Sequence, residues 1–246
     1  MPVPVARRTC GLPVLVALAA LGLAGCGAVS GEQAALPTPA SSPPPPSAPK
    51  APPSRTMTVE QLVAAALPTG EMGDPDWHPV EVREPQRGDG GYEVSDPACG
   101  RLLEAADARR PSEPSPAVVD QTFNWKDDLW GGSSTLASYG NSGAVAVFEE
   151  VREGLGNCRY YEAPGPASMY KGTVTAGQAP PLGDEAVQFE ITAPSEMGPH
   201  VTQYTVVRMG SVIATFTKLS VGDDTVRAFP PALVAQQIVL LRQAQS

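Results

Sequence analysis

The chain reads as an α+β protein, a single domain in which an antiparallel sheet of about five to seven strands is flanked by helices. Three observations predict this. Between residues 57 and 244 the hydrophobic pattern runs helix, helix, two strands, helix, four strands, helix. The C-terminal half is rich in Val, Thr, Tyr, Ile and Phe, with stretches of two-residue alternation. Gly210 between the last two of those runs marks a tight hairpin, the connection of antiparallel neighbours. The region of about 190 residues is long enough for one domain with a real core, and no internal repeat is apparent.

Each element has a local cause. Thr58-Val59-Glu60-Gln61 has the form of a capping box, with the Thr58 hydroxyl and the Gln61 side chain covering free N–H groups. Leu62, Val63 and Ala66 continue it as a short helix that Pro68 stops. Residues 70–96, rich in Gly, Pro and charge, read as a long loop with a short strand near residues 80–82. Residues 97–106 form a second short helix carrying Cys99, Leu102 and Leu103. Strands follow over 118–125 and 132–139, joined by a turn around Lys126-Asp127-Asp128. Asn141 is placed to cap the clearest helix, on which Ala144, Phe148, Val151 and Leu155 share one apolar face. Cys158 falls three residues past Leu155, near the inward side of the helix end. Strands are expected over 170–176, 185–192, 200–209 and 211–219. Pro230-Pro231 then opens a last helix with Val234, Ile238 and Leu241 as its buried stripe.

The N-terminal portion is of another kind. Arg7 and Arg8 precede an apolar stretch over residues 11–23, too short for the roughly 20 residues of a spanning helix and suited to a cleaved signal peptide. The stretch ends Leu23-Ala24-Gly25-Cys26, which resembles the bacterial lipobox. That resemblance implies cleavage between Gly25 and Cys26 and a diacylglyceryl group on the Cys26 thiol. The domain plan is then a signal peptide over 1–25, the lipidated Cys26 with a Pro-rich stalk to residue 56, and the folded domain over 57–246. The stalk, with Pro43 to Pro46 consecutive, cannot build a core. As polyproline-like chain it reaches about 3.1 Å per residue. Its bland role is a tether; a Pro-rich ligand for a recognition domain is the sharper alternative.

Charge narrows the partners. The formal net charge is −9, and loss of Arg7 and Arg8 with the signal peptide takes it to −11. This argues against nucleic acid, which is bound by Lys and Arg neutralising phosphates, and against a polybasic membrane contact. Membrane attachment is therefore expected through the lipid on Cys26 alone. Of the four cysteines, Cys10 leaves with the signal peptide and Cys26 is the lipid site. Cys99 and Cys158 remain in a compartment that permits disulfides. A bridge between them would be worth about 4 kcal/mol in the chain-entropy model. Two buried free thiols are the alternative, with a catalytic thiol a distant third.

A set of fragments resembles a known family. Thr58-Val59-Glu60-Gln61-Leu62-Val63, Asp96-Pro97-Ala98-Cys99, the run from Ser134 to Tyr139, Asn157-Cys158, the Gly183-Asp184-Glu185 segment and the run from Val206 to Ile213 occur in order around the two cysteines. In this the chain is similar to the extracellular sensor domain found in the mycobacterial serine/threonine kinase PknH and in many actinobacterial lipoproteins. The resemblance implies an antiparallel sheet flanked by helices, with a cleft proposed to bind an unidentified ligand. There are two departures: the kinase sensor has two disulfides where one pair is available here, and this sequence shows neither a kinase domain nor a spanning helix. Any signalling role is expected to need a membrane partner.

Catalytic signals are sparse. His78 and His200 sit in no metal-ligating spacing, and no GxSxG elbow, SxxK pair or glycine-rich phosphate loop occurs. Asp127-Asp128, Glu149-Glu150 and Asp223-Asp224 are adjacent acids, better explained as solvated turns and a polar helix face than as an acid/base pair. No cofactor or metal is expected. Phe123, Trp125 and Trp130 surround the first hairpin and are candidate cleft-lining residues, core packing being the alternative. The expected function is non-catalytic binding of a small molecule, lipid, glycan or partner protein outside the membrane. An interaction or scaffolding module of an envelope complex is the alternative, and a cell-envelope hydrolase the third reading.

Overall fold

The computed structural model describes residues 55–68, 76–77 (backbone only), 80–83, 92–108, 117–125, 128–140, 142–165, 169–222, 224 and 228–246. Among them are four helices, α1 (Val59–Ala65), α2 (Pro97–Ala106), α3 (Gly143–Asn157) and α4 (Pro231–Gln245). The strands are β1 (Asp76–Trp77), β2 (Glu81–Val82), β3 (Ala117–Trp125), β4 (Asp128–Ser138), β5 (Tyr160–Pro164), β6 (Met169–Ala176), β7 (Glu185–Ala193), β8 (His200–Met209) and β9 (Val212–Val221). They form one sheet in the order β1-β3-β4-β9-β8-β7-β6-β5, with β2 also paired to β3. Every pairing is antiparallel. The α+β class is as predicted. The nine strands exceed the expected five to seven because β1 adds two residues along β3 and because β5 escapes the sequence pattern, whereas β2 is the short strand expected near residues 80–82.

Local chemistry sets the ends of the elements. Thr58 and Gln61 form the predicted capping box: the Gln61 N–H donates to the Thr58 hydroxyl at 3.3 Å and the Thr58 N–H to Gln61 Oε1 at 2.9 Å. Asp96 caps α2 by accepting from the Ala98 N–H at 2.7 Å, with Pro97 in the first turn. For α3 the expectation needs correction. The helix starts at Gly143, so the cap position is Ser142, which makes no side-chain cap bond; Asn141 lies outside the described residues. In the β8–β9 hairpin Met209 pairs with Val212, and Gly210 takes φ +59°, the first central position of a two-residue turn.

Two-residue alternation on each strand sends side chains to two separate cores. Val212, Ala214 and Phe216 of β9 face a core with Leu62, Val234, Ile238 and Leu241, beneath α1 and α4. Ile213 faces the other, with Leu102, Val147, Phe148 and Val151, beneath α2 and α3. The α2–α3 approach is close at Gly154, where a Cβ would lie 2.8 Å from Leu102 Cβ. Leu155, expected on the apolar face, is only half-buried, and Val147 and Gly154 complete the stripe.

The first described residues are pinned to one end of the sheet. Arg55 C=O accepts from the Ser211 hydroxyl at 2.7 Å, and the Met57 N–H donates to Ser138 Oγ at 2.7 Å. Gln245 Nε2 donates to Met209 C=O at 2.9 Å, at that same end. The β3–β4 turn and the β7–β8 loop lie at the opposite end, as the β4–β9 and β8–β9 registers require. Among the described residues no helix is long and apolar enough to cross a membrane.

Candidate functional site

Gly25 and Cys26 lie outside the described residues. Cys99 and Cys158 are joined, with S–S 2.00 Å and Cα–Cα 4.8 Å, both fully buried. The bridge ties the first turn of α2 to the residue that ends α3.

Phe123, Trp125 and Trp130 do not line a common cleft, which corrects the expectation for Phe123. Phe123 is 0% exposed, packed edge-on to Phe229 at 5.0 Å and stacked with Trp125 at 6.2 Å. Alternation puts Phe123 and Trp125 on the strand face that α4 and Phe229 cover, so these rings are core. Trp125 is half-buried, 5.7 Å from Phe229 and 5.9 Å from Lys218 Nζ. Trp130, beside Gly131 at φ +61°, is exposed, with His200 6.1 Å away.

The acidic neighbours separate as well. Asp128 is buried against Lys218, whereas Glu149 pairs on the helix surface with Arg152. Asp224 accepts from the Val221 N–H at 2.8 Å as a turn residue. His78, Asp127 and Asp223 lie outside the described residues. Among those described, no three His, Cys, Asp or Glu residues come together as metal ligands.

Among the described residues, an open groove of about 450 Å³ lies beside α1. It is lined by Val63, Ala64, Ala66, Leu67 and Pro68 from α1 and the turn after it, by Val80 before β2, and by Leu240 of α4. The lining side chains are apolar, with backbone polar groups making up part of the wall, and the volume is within the range of small-molecule pockets, about 300–1,000 Å³. Two buried amides position it. Gln237 of α4, 0% exposed, accepts from the Leu67 N–H at 3.1 Å and donates to Ala65 C=O at 2.6 Å. Gln121 of β3 donates to Leu67 C=O at 2.9 Å. Together they satisfy the backbone where α1 ends, which Pro68 and the burial of Leu67 would otherwise leave without water. The sequence held a signal for both. Gln121 alternates inward with Val119 and Phe123, and Gln237 sits on the Val234, Ile238, Leu241 stripe.

A second polar cluster lies on the α2–α3 face. Arg83 grips Asp120 with both guanidinium ends, at 2.7 and 2.6 Å, and donates to Asp107 C=O at 2.7 Å. Thr135 donates to Asp120 at 2.6 Å, and the Tyr92 hydroxyl donates to the Asp107 carboxylate. Tyr161 and Tyr170 lie 6.0 Å apart, and Tyr204 stacks on Phe189 at 4.7 Å. Burial raises the hydroxyls of Tyr161, Tyr170 and Tyr204 above the ordinary phenol value. These groups stay protonated at neutral pH. All three also pack against aromatic rings, Tyr161 and Tyr170 against each other and Tyr204 against Phe189.

No family model matches the chain, and no curated protein matches it. Among solved structures, an uncharacterised protein from Mycobacterium smegmatis aligns at 14% identity over 78% of this chain and 96% of that one, with TM-score 0.37. The extracellular domain of PknH from Mycobacterium tuberculosis aligns at 13% identity over 77% of this chain and 97% of its own, with TM-score 0.52. The chain therefore has the fold of the PknH extracellular domain, as its ordered fragments around the two cysteines led us to expect.

Proposed function

We propose that this protein is a lipid-anchored, extracytoplasmic, non-catalytic binding module whose α1–α4 groove takes an apolar small molecule. The observation that carries the ligand class is the groove, a space of about 450 Å³ whose lining residues are all apolar. The lipobox-like Leu23-Ala24-Gly25-Cys26 supports the anchor and the compartment, as does a fold shared with a domain that is extracellular in its own protein. Two acyl chains on Cys26 meet the requirement of stable anchoring.

The test is native mass spectrometry of the Cys26→Ser chain produced in its native host, alongside the same chain with Ala64→Trp. Ala64 is an exposed residue of the groove wall, so the indole fills the space without touching the core. We expect an apolar small molecule on the parent and its loss from the Trp variant. A parent that carries nothing in repeated preparations, or equal occupancy in both, overturns the reading.

A second reading rests on the opposite end of the sheet from Arg55. There Leu129 is 92% exposed and Met197 66% exposed, the type of side chain that anchors protein interfaces. This supports docking to an envelope partner.

A further inference from the structure

Lys218 is one of four lysines in the chain, and its side chain is 0% exposed. Its partner Asp128 is 2% exposed, with Nζ 2.8 Å from Oδ2. Full burial of a Lys–Asp pair needs an explanation, because charged side chains are almost never shut away completely. Nor is stability an obvious one. Apolar residues of the same volume usually serve as well or better at such sites, since removing two charges from water offsets most of their attraction.

The surroundings are built to enclose the pair. Lys218 on β9 lies opposite Gly132 on β4, and the Trp125 ring occupies the space left there: a Cβ on Gly132 would come 3.0 Å from it. That ring also lies over Nζ, 5.9 Å from its centroid, and Phe229 packs edge-on to the indole at 5.7 Å. The polar contacts are unusual for a plain ion pair. Nζ donates to Leu219 C=O, and Asp128 Oδ1 accepts from the Trp130 N–H at 3.1 Å. Oδ2 lies 2.8 Å from Nζ and has no other hydrogen-bond donor among the described residues. The amine is held against the carboxyl group, which is polarised at its other oxygen by a backbone N–H.

We propose that Lys218 and Asp128 become joined by an isopeptide bond between Nζ and Cγ. The arrangement supplies each part of the step. One proton passes from the ammonium to Oδ2, which removes both buried charges. The Nζ lone pair then attacks Cγ, and the charge that develops on Oδ1 is met by the Trp130 N–H. The C–N bond forms, a second Nζ proton moves to Oδ2, and the Cγ–Oδ2 bond breaks to release water. Of the three ammonium protons, two leave in the water and one stays on the amide nitrogen. Nothing is oxidised or reduced, and no co-reactant is required. Fixing both groups side by side in a closed site provides the effective concentration that amide formation lacks in solution. The product ties the start of β4 covalently to β9.

The test is the mass of the full chain purified from its host, with a tryptic map after disulfide reduction. With the lipid on Cys26 and the reduced Cys99 and Cys158 counted, we expect the wild-type protein to be one water lighter than its mature sequence requires. Trypsin should fail to cut after Lys218, leaving residues 209–227 as a branch on residues 127–152. Lys218→Arg, which cannot form the amide, should have the full mass. Asp128→Asn should still cross-link, by loss of ammonia, and give the same branched product as wild type. A wild-type mass that accounts for every atom, with ordinary cleavage after Lys218, overturns the proposal, and wild type alone decides this even if a variant fails to fold. Loss of water from both wild type and Lys218→Arg also overturns it, by placing the dehydration elsewhere.

Discussion

Replacing Gln237 by leucine tests how the groove is held open. The substitution keeps the side chain's bulk in a site that is 0% exposed but removes its carbonyl and amide. Two backbone groups then lose their partners, the Leu67 N–H at 3.1 Å and the Ala65 C=O at 2.6 Å. Both residues are buried, Leu67 to 1% and Ala65 to 2% exposure, so water cannot substitute without local opening. An unsatisfied buried group costs about 1–3 kcal/mol, which makes the pair worth about 2–6 kcal/mol. That is a large share of a total stability of about 5–15 kcal/mol. Urea unfolding of the Cys26→Ser chain, read by far-UV circular dichroism, should show the midpoint falling by about 1–2 M. Gln243→Leu, on an exposed position of the same helix, should stay within about 0.5 kcal/mol of the parent. Hydrogen exchange should find the Leu67 amide fast in the Gln237 variant and slow in the parent. A midpoint shift no greater than that of Gln243→Leu would refute the assignment of the amide as a buried latch.

Two glycines of α3 should respond in opposite directions. Gly154→Ala forces a Cβ to 2.8 Å from Leu102 Cβ and 3.0 Å from its Cα, and thermal melts should show destabilisation of about 1–3 kcal/mol. Gly156→Ala, with nothing within 4 Å of the new carbon, should gain about 0.5–1 kcal/mol from helix propensity. The buried tyrosines set an alkaline limit. Their folded pKa values lie above the ordinary 10.0, so above that pH the unfolded chain releases protons that the native state holds. Stability must therefore fall as pH rises through and beyond 10. Tyr204→Phe should flatten that fall in denaturation midpoints measured from pH 8.5 upward, and an unchanged slope would count against it. Cys26→Ser should move the protein from the membrane fraction to the medium, and retention in the membrane would sink the lipobox reading.

Elements governed by neighbours in the sequence were legible, and those governed by distant partners were not. The bounds of α2 follow from Asp96 and Pro97, and β8 from its alternation and from Gly210. By contrast, β5 is short, ends in Pro164, and buries only Tyr161. It is a strand because β6 lies beside it, with Gly172 left bare for the Tyr161 ring to cover. The aromatic candidates failed in part for the same reason. Nothing near Phe123 in the chain shows that Phe229, more than a hundred residues further along, will cover it. The groove is a tertiary product of α1, α4 and Val80. Lys218, however, was open to detection. It continues the inward series Val212, Ala214, Phe216, and a lysine on that face implied a buried partner.

The strand order also dictates how the sheet closes. The β3–β4 hairpin forms from adjacent residues, but the next partner of β4 is β9, so β4 keeps an unsatisfied edge while the chain travels out through α3 to β5. The meander from β5 through β6, β7 and β8 then brings β9 back to it. Contacts of such long sequence separation carry the largest loop-closure cost and form slowly. The Cys99–Cys158 bridge leaves that path no shorter, since both cysteines lie away from the β4–β9 pairing, and it instead fixes Cys158, just before β5, against α2. The β4–β9 pairing is therefore left to the chain itself, and β9 is the strand on which completion of the fold depends. A nascent chain that stops short of Val212 would leave β4 as an open template, the state most exposed to aggregation and proteolysis.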